Sequence, residues 1–317
     1  MPHDLALAID LGGTKVEASL VDREGTLLDG SRSRKSTGAA KTSDELAASV
    51  RAVVTSALAA LPAEGRVSGV GIGAAGPIRQ AEGLVSPLNL PAWRDYPLHE
   101  LVSEIVHEHA ADLVADAPVT LRMDGLCITL AEHWVGAAQG VGNVLGMVVS
   151  TGIGGGLILG GHTVPGPTGN AGHIGHVEVA GFDDPCACGG RGCLEAVASG
   201  PRSVAWAREQ GWTGTTGEEL AESYAAGDGV ARAAIMRSGR AIGRAIGSVT
   251  ALVDLELVAV GGGFSRATPD LFDHIRIGID EHSGLEFTRK VRVVPSLLSD
   301  IGPLVGAAAL VHRADLL

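Results

Sequence analysis

Short apolar runs set off by glycine-rich turns dominate the first half of the chain. Leu5 to Ile9 is apolar; Asp10-Leu11-Gly12-Gly13-Thr14-Lys15 interrupts it, and a second run reaches Val21. Runs of this length bounded by turn residues predict buried strands. Asp22-Arg23-Glu24-Gly25 predicts a turn and Thr26 to Leu28 a third strand, completing an antiparallel meander. Helical spacing follows. Thr42 and Glu45 stand at capping-box separation, and Leu46, Val50, Val53, Val54, Ala57 and Leu61 recur three or four residues apart until Pro62. Val67 to Ile72 and Val119 to Arg122 predict further buried strands, the second leading into a helix from Gly125 to about Gly136.

The second half repeats the theme. Val144 to Ser150 predicts a strand, Thr151-Gly152-Ile153-Gly154-Gly155-Gly156 a glycine turn, and Leu157 to Leu159 renewed extended structure. A long helical stretch from Gly229 to Val253 leads to a strand at Leu255–Val260 and then to Gly261-Gly262-Gly263. Strand, glycine turn and strand thus occur near both residue 12 and residue 153. That recurrence points to duplicated α/β lobes facing a cleft, with the junction expected near residues 115–124.

Composition narrows the function classes. With 317 residues, 45% hydrophobic and 19% charged, the chain has globular character and suits two lobes. Its formal charge of −12 disfavours nucleic acid and anionic lipid as partners. The opening MPHDLALAID has no signal-peptide pattern and no stretch is long and apolar enough to span a bilayer, so a cytoplasmic location is expected. Of four cysteines, Cys186, Cys188 and Cys193 fall within eight residues, while Cys127 stands apart on a predicted core helix. That clustering suits a metal better than a disulfide framework.

Three constellations carry chemistry. The Gly12–Lys15 turn lets backbone N–H groups approach phosphate oxygens, Thr14 adds a hydroxyl, and Asp10 at the strand end can hold hydrated Mg²⁺. Its spacing is neither that of the P-loop nor that of the dinucleotide fingerprint, and an ordinary hairpin turn is the plainer alternative. Cys186, Cys188 and Cys193 with His176 make a closed tetrahedral set suited to structural rather than catalytic zinc. Asp124, between a strand and a helix, reads either as an N-cap or as a carboxylate aimed into a cleft, as a phosphoryl-transfer base requires. His173 and Glu195 flank the metal set and could reach the same cleft or support the ligands.

The chain resembles the ROK family (repressor, open reading frame, kinase), within the actin-like ATPase superfamily. The resemblance is carried by Ala8–Lys15, Val148–Gly156, Gly172-His173-Ile174-Gly175-His176, Cys186-Ala187-Cys188-Gly189-Gly190-Arg191-Gly192-Cys193-Leu194-Glu195 and Gly302–Ala308. It implies an α/β, two-lobed actin-like (ribonuclease H-like) ATPase fold with an interlobe cleft. The lobes would span 1–120, completed by a C-terminal helix at 302–317, and 121–301 with the zinc-binding loop. It further implies that Gly12, Gly13, Thr14, Lys15, Thr151 and Gly152 hold ATP phosphates, with Asp10 near Mg²⁺ and Gly261, Gly262 and Gly263 against the adenosine. Asp124 matches the base that deprotonates the sugar's 6-hydroxyl. Gly76, Asn89, Met123, His173, His176 and Glu195 match sugar-lining positions. His176, Cys186, Cys188 and Cys193 match the structural zinc ligands, and a homodimer is implied.

Two departures bear on the substrate. The family usually carries Asn immediately before the catalytic Asp, where its amide bonds the C3 and C4 hydroxyls; here that residue is Met123. A thioether donates no hydrogen bond, and an unpartnered buried hydroxyl costs about 1–3 kcal/mol, roughly 5- to 150-fold in affinity. Met123 therefore points to a compensating neighbour or to a sugar that differs at C3 or C4, with the C3-modified kanosamine as one candidate. His173 replaces the Glu common in glucose-specific glucokinases and looks like the bacterial N-acetylmannosamine kinases. The leading expectation is an ATP-dependent hexose or amino-sugar 6-kinase acting on kanosamine, N-acetylmannosamine or glucose. The alternatives are a non-catalytic sugar-binding protein and a ROK regulator. The latter would need a DNA-binding domain, for which Met1 to Asp10 leaves no length.

Overall fold

The computed structural model describes residues 4–114, 118–298 and 300–317. Residues 115–117 of the expected junction lie outside the described residues. The chain divides into two compact units, Met1–Gln139 with His162–Gly172 and Asp300–Leu317, and Gly140–Gly161 with His173–Ser299. The first unit thus runs past the expected boundary at 120. Helix Asp124–Val135 belongs to it because it packs at backbone contact on the C-terminal helix Gly302–His312, which a short turn at Ala314–Leu316 follows.

The first unit is built on β1 (Asp4–Leu11), β2 (Lys15–Val21), β3 (Ser33–Ser36), β4 (Arg66–Ala74) and β7 (Val119–Met123), in the order β3-β2-β1-β4-β7. A two-residue hairpin, β5 (Ile78–Arg79) and β6 (Leu84–Val85), follows β4. β2 runs antiparallel to β1, while β4 and β7 run parallel to it, so Leu11, Ala74 and Met123 end three neighbouring strands together. Strand alternation sends Leu5, Leu7, Ile9 and Leu11 into a cluster with Leu46, Val50 and Val53 of helix Ser43–Ala59. Ala6 and Ala8 face the opposite way, against Leu304, Ala307 and Ala308. The Thr42–Glu45 capping box is formed.

The third strand is Ser33–Ser36, not Thr26–Leu28, which contributes only an isolated bridge from Leu27 to Val21. The cause is electrostatic. Glu17, 1% exposed, pairs across the ladder with Arg34. Its carboxylate accepts from Arg34 Nε at 2.6 Å, Lys15 Nζ at 2.5 Å and Arg32 Nη2 at 3.0 Å. A buried carboxylate demands such partners, and supplying them fixes the register of a strand that has no apolar face. Burial alone would raise the Glu17 pKa; the bonds from Lys15 and Arg34 outweigh it and hold the group below its ordinary value.

The second unit holds β8 (Val144–Val149), β9 (Ile153–Leu159), β11 (Leu257–Gly261) and β12 (Arg292–Pro295), in the order β9-β8-β11-β12; β10 (His162–Thr163) falls in the first unit's 162–172 segment. Gly154, Gly155 and Gly156 are ladder residues opposite Val148, Met147 and Gly146, so the glycine turn is shorter than the sequence suggests, confined to Ser150–Gly152. Helix Gly229–Val253, capped by Asp228, packs with helix Asp270–His282 through Ile235, Ile242, Ile246, Leu271, Ile275 and Ile279. Among the described residues no helix is long and apolar enough to cross a membrane.

In the first unit, a Cβ placed on Gly306 would lie 1.8 Å from the Cys127 carbonyl oxygen. Gly306→Ala should therefore destabilise the protein by at least ~1–3 kcal/mol, the usual cost of overpacking. A lowered urea midpoint with an unchanged m-value checks it.

Candidate functional site

The carboxyl ends of β1, β4 and β7 assemble the first half of the site. In parallel α/β sheets, ligands bind beyond these ends. Asp10, one residue from the end of β1, is 6% exposed and lies on the face opposite Leu11. Met123 closes β7 and Asp124 opens helix Asp124–Val135, with one carboxylate oxygen accepting from the Gly125 N–H at 2.7 Å. The N-cap residue is Met123, so Asp124 is the first residue of the helix itself. Burial, then the Asp124 carboxylate, pushes the Asp10 pKa up to about 7. Two acidic groups thus share one end of one sheet, an arrangement that a divalent cation would relieve.

The phosphate-turn candidates follow Asp10 directly. The Gly12 N–H donates to the Lys15 carbonyl at 2.9 Å, closing a tight turn, and the Thr14 carbonyl accepts from the Thr37 N–H at 2.9 Å. Among the described residues no hydrogen bond is donated by the Gly13 or Thr14 N–H, leaving both for an anion. The Lys15 ammonium is engaged by Glu17. Asn89 is exposed and sits against the turn, since a Cβ on Gly13 would lie 2.8 Å from Asn89 Cβ. Gly76 follows the end of β4. Met123 is 3% exposed and packs in the apolar cluster containing Leu121, Leu90 and Trp93, leaving little of its thioether to meet a sugar. Strand alternation explains this, because Met123 shares the Leu11 face and Asp10 the other.

Asn170 was not singled out by the sequence. Its amide clamps the Ile78 backbone, accepting from the N–H at 2.8 Å and donating to the carbonyl at 2.7 Å, and so pins the segment before His173 onto the loop after Gly76. A lone Asn between glycines carries no pattern that would reveal such a partner 92 residues away.

The second unit holds the remaining candidates. His176, Cys186, Cys188 and Cys193 present ligand atoms all within 4.8 Å of one another. Cys188 Sγ and Cys193 Sγ are 3.7 Å apart, as are Cys186 Sγ and His176 Nδ1. A tetrahedral cation with Zn–S of about 2.3 Å would space its sulfurs about 3.8 Å apart, so this donor set fits zinc. His176 turns Nδ1 to the cluster, leaving Nε2 on the far side of its ring, and His173 lies 6.0 Å away ring to ring. Arg237 braces the loop from helix Gly229–Val253, donating to both Asp184 carboxylate oxygens at 2.7 Å and to the Val197 carbonyl at 2.8 Å.

Glu195 reaches Ser150–Gly152, the second turn. Its carboxylate accepts from the Ile153 N–H at 2.8 Å and lies 2.6 Å from where a Gly152 Cβ would stand. Next to that turn a cavity of about 600 Å³ is lined by Thr151, Gly200, Arg208, Thr216, Gly263 and Arg266, among others. Thr151 and Gly263 thus border one hollow in this unit, while Gly261 ends β11 and Gly262 lies against the Val149 carbonyl.

A sequence-family model described as "ROK family" matches residues 6–314. Over 262 residues the chain is 32% identical to an N-acetylmannosamine kinase of Escherichia fergusonii, covering 82% of this chain and 84% of that one. A ROK family glucokinase from Streptomyces griseus, solved with glucose and AMPPNP, is 30% identical with a TM-score of 0.81, covering 98% of this chain and 99% of that one. A ROK hexokinase from Thermus thermophilus is 28% identical with a TM-score of 0.82 over the same shares. The fold is accordingly the mixed α/β, two-lobed actin-like ATPase fold.

Asp10 generates a pH prediction. Its folded pKa of about 7 lies above the ordinary 3.8, so between those values the folded chain holds a proton that the unfolded chain has released. Stability should fall as pH rises from about 4 to about 7, by on the order of 1 kcal/mol per pH unit, and then level off. Urea midpoints of the metal-nucleotide-free protein should show this slope, and Asp10→Asn should flatten it. Parallel profiles for the two would show that Asp10 is not its source.

Proposed function

Because the chain belongs to the ROK family, we propose that it is a sugar kinase that transfers the γ-phosphoryl group of ATP to the 6-hydroxyl of a glucose-like or amino-modified hexose. The observation that carries this reading is the pair Asp10 and Asp124 at the carboxyl ends of one sheet, beside a turn that offers the Gly13 and Thr14 N–H groups. The curated relatives it matches are sugar kinases, which supports the reaction class.

In this reading Asp124 accepts the proton of the 6-hydroxyl as that oxygen bonds the γ-phosphorus and the bond to the ADP leaving oxygen breaks. The Gly13 and Thr14 N–H groups, and those of Thr151 and Gly152, donate to phosphate oxygens in this reading, while the Gly12 N–H closes its turn onto the Lys15 carbonyl. Asp10 would hold and orient the Mg²⁺ that accompanies ATP, which would supply neutralisation of the charge on the phosphates. The cavity bordered by Thr151 and Gly263 takes the adenosine. Asn89, Gly76, His173, His176 and Glu195 supply sugar contacts, His176 through Nε2. Lys15, held by Glu17, shapes the turn instead of reaching the phosphates.

The hexose is narrowed by His173, which together with the similarity to N-acetylmannosamine kinases favours N-acetylmannosamine. Met123 is buried away from the Asp10 face and supplies no sugar contact, so kanosamine stands as a second candidate only through the amide that is missing at residue 123. Coupled ADP release measured over glucose, mannose, glucosamine, N-acetylmannosamine and kanosamine should single out an amino-modified hexose. Asp124→Asn should lower kcat by at least about a hundredfold, the usual scale of a general base. Full activity in that variant would remove the mechanism, and sugar binding without ADP release would make the protein a non-catalytic binder.

The Cys₃His set is proposed to hold one structural Zn²⁺ per chain. Elemental analysis of the purified protein should find one equivalent of zinc, and Cys186→Ser should lose it together with several degrees of Tm. Metal-free protein of undiminished Tm would argue for free thiols.

A further inference from the structure

The Ser150–Gly152 turn is gripped from two sides by neighbours of the Cys/His cluster. On one side the Glu195 carboxylate, two residues past Cys193, accepts from the Ile153 N–H at 2.8 Å. On the other, Gly175, beside His176, lies so close that a Cβ there would stand 2.0 Å from the Ile153 carbonyl oxygen. Gly152 completes the fit, since its missing side chain is what lets the Glu195 oxygen approach.

We infer that Glu195 is a positioning residue for the nucleotide: it fixes the backbone of the Thr151–Gly152 phosphate turn, so that the Cys/His loop sets nucleotide affinity as well as shaping the sugar contacts. The inference rests on the reading of Thr151 and Gly152 as phosphate donors. A carboxylate accepting a backbone N–H makes a strong, charge-assisted bond, and it holds the peptide entering β9 in one orientation. The Thr151 and Gly152 N–H groups lie immediately before that peptide. Loss of the bond frees the turn to sample other orientations, and a phosphate must then pay for ordering it.

The test separates this role from sugar binding by measuring nucleotide affinity with no sugar present. Calorimetric titration with Mg²⁺–AMPPNP should show binding to the wild type, affinity about tenfold weaker for Glu195→Ala, and affinity within threefold of wild type for Glu195→Gln, whose Oε1 still accepts from Ile153. Gly152→Ala should weaken binding in the wild-type background and do so less in the Glu195→Ala background, because the clash with the carboxylate is then gone. Zinc content and Tm of each variant establish that the loop is intact. Equal nucleotide affinity for wild type and Glu195→Ala overturns the inference, as do equal losses for the alanine and glutamine variants. A wild type that binds no AMPPNP overturns the kinase reading itself, and the inference with it.

Discussion

Two acidic side chains brought to one edge of one sheet are the constraint on which the first unit is organised. Burying a carboxyl against another acid is unfavourable, and Asp10 answers by holding its proton to about pH 7. The scaffold meets that cost with firmly packed surroundings. Apolar residues fill the sheet face opposite Asp10, and the helix bearing Asp124 lies at backbone contact with the C-terminal helix. A divalent cation held between these acids, as the proposed function has it, would relieve that cost, and stability and metal affinity would then be linked through one free energy.

The second unit uses a different economy. Its turn carries no buried acid of its own; order reaches it through a chain of contacts. Arg237 holds Asp184, the loop then presents three cysteines toward His176, and the residues flanking those ligands press on Ile153. The Cys/His loop thus bears on the turn as well as on its own ligand atoms.

How much of this was legible beforehand depended on how local each cause is. The Thr42–Glu45 box, the helix Gly229–Val253 and the Cys/His set announce themselves within a few residues, because capping, helical periodicity and ligand clustering are short-range. β3 was misplaced since Ser33–Ser36 has no apolar residue, and what fixes it is the remote carboxylate of Glu17. Gly154–Gly156 looked like turn and proved to be strand, because ladder hydrogen bonds to β8 override glycine's indifference. Asn170 on Ile78 and Glu195 on Ile153 join side chain to backbone across 92 and 42 residues, and backbone partners leave no trace in residue identity. Glu195 drew attention first as a neighbour of the metal set and then, through family likeness, as a sugar contact, but not as the carboxylate that bonds the Ile153 N–H.

The Glu17 knot has a consequence beyond register. Three cations gathered on a single anion, Lys15, Arg32 and Arg34 on Glu17, make an island of surplus positive charge in a chain of net −12, and Arg34 remains 56% exposed. That island adjoins the Gly12–Thr14 turn. The field of these cations extends only about 8–10 Å in physiological saline, so it acts on whatever meets that turn and is screened beyond it. Added salt therefore weakens what the three cations exert beyond the turn far more than it loosens their short contacts with Glu17, whose carboxylate is buried and shielded from screening.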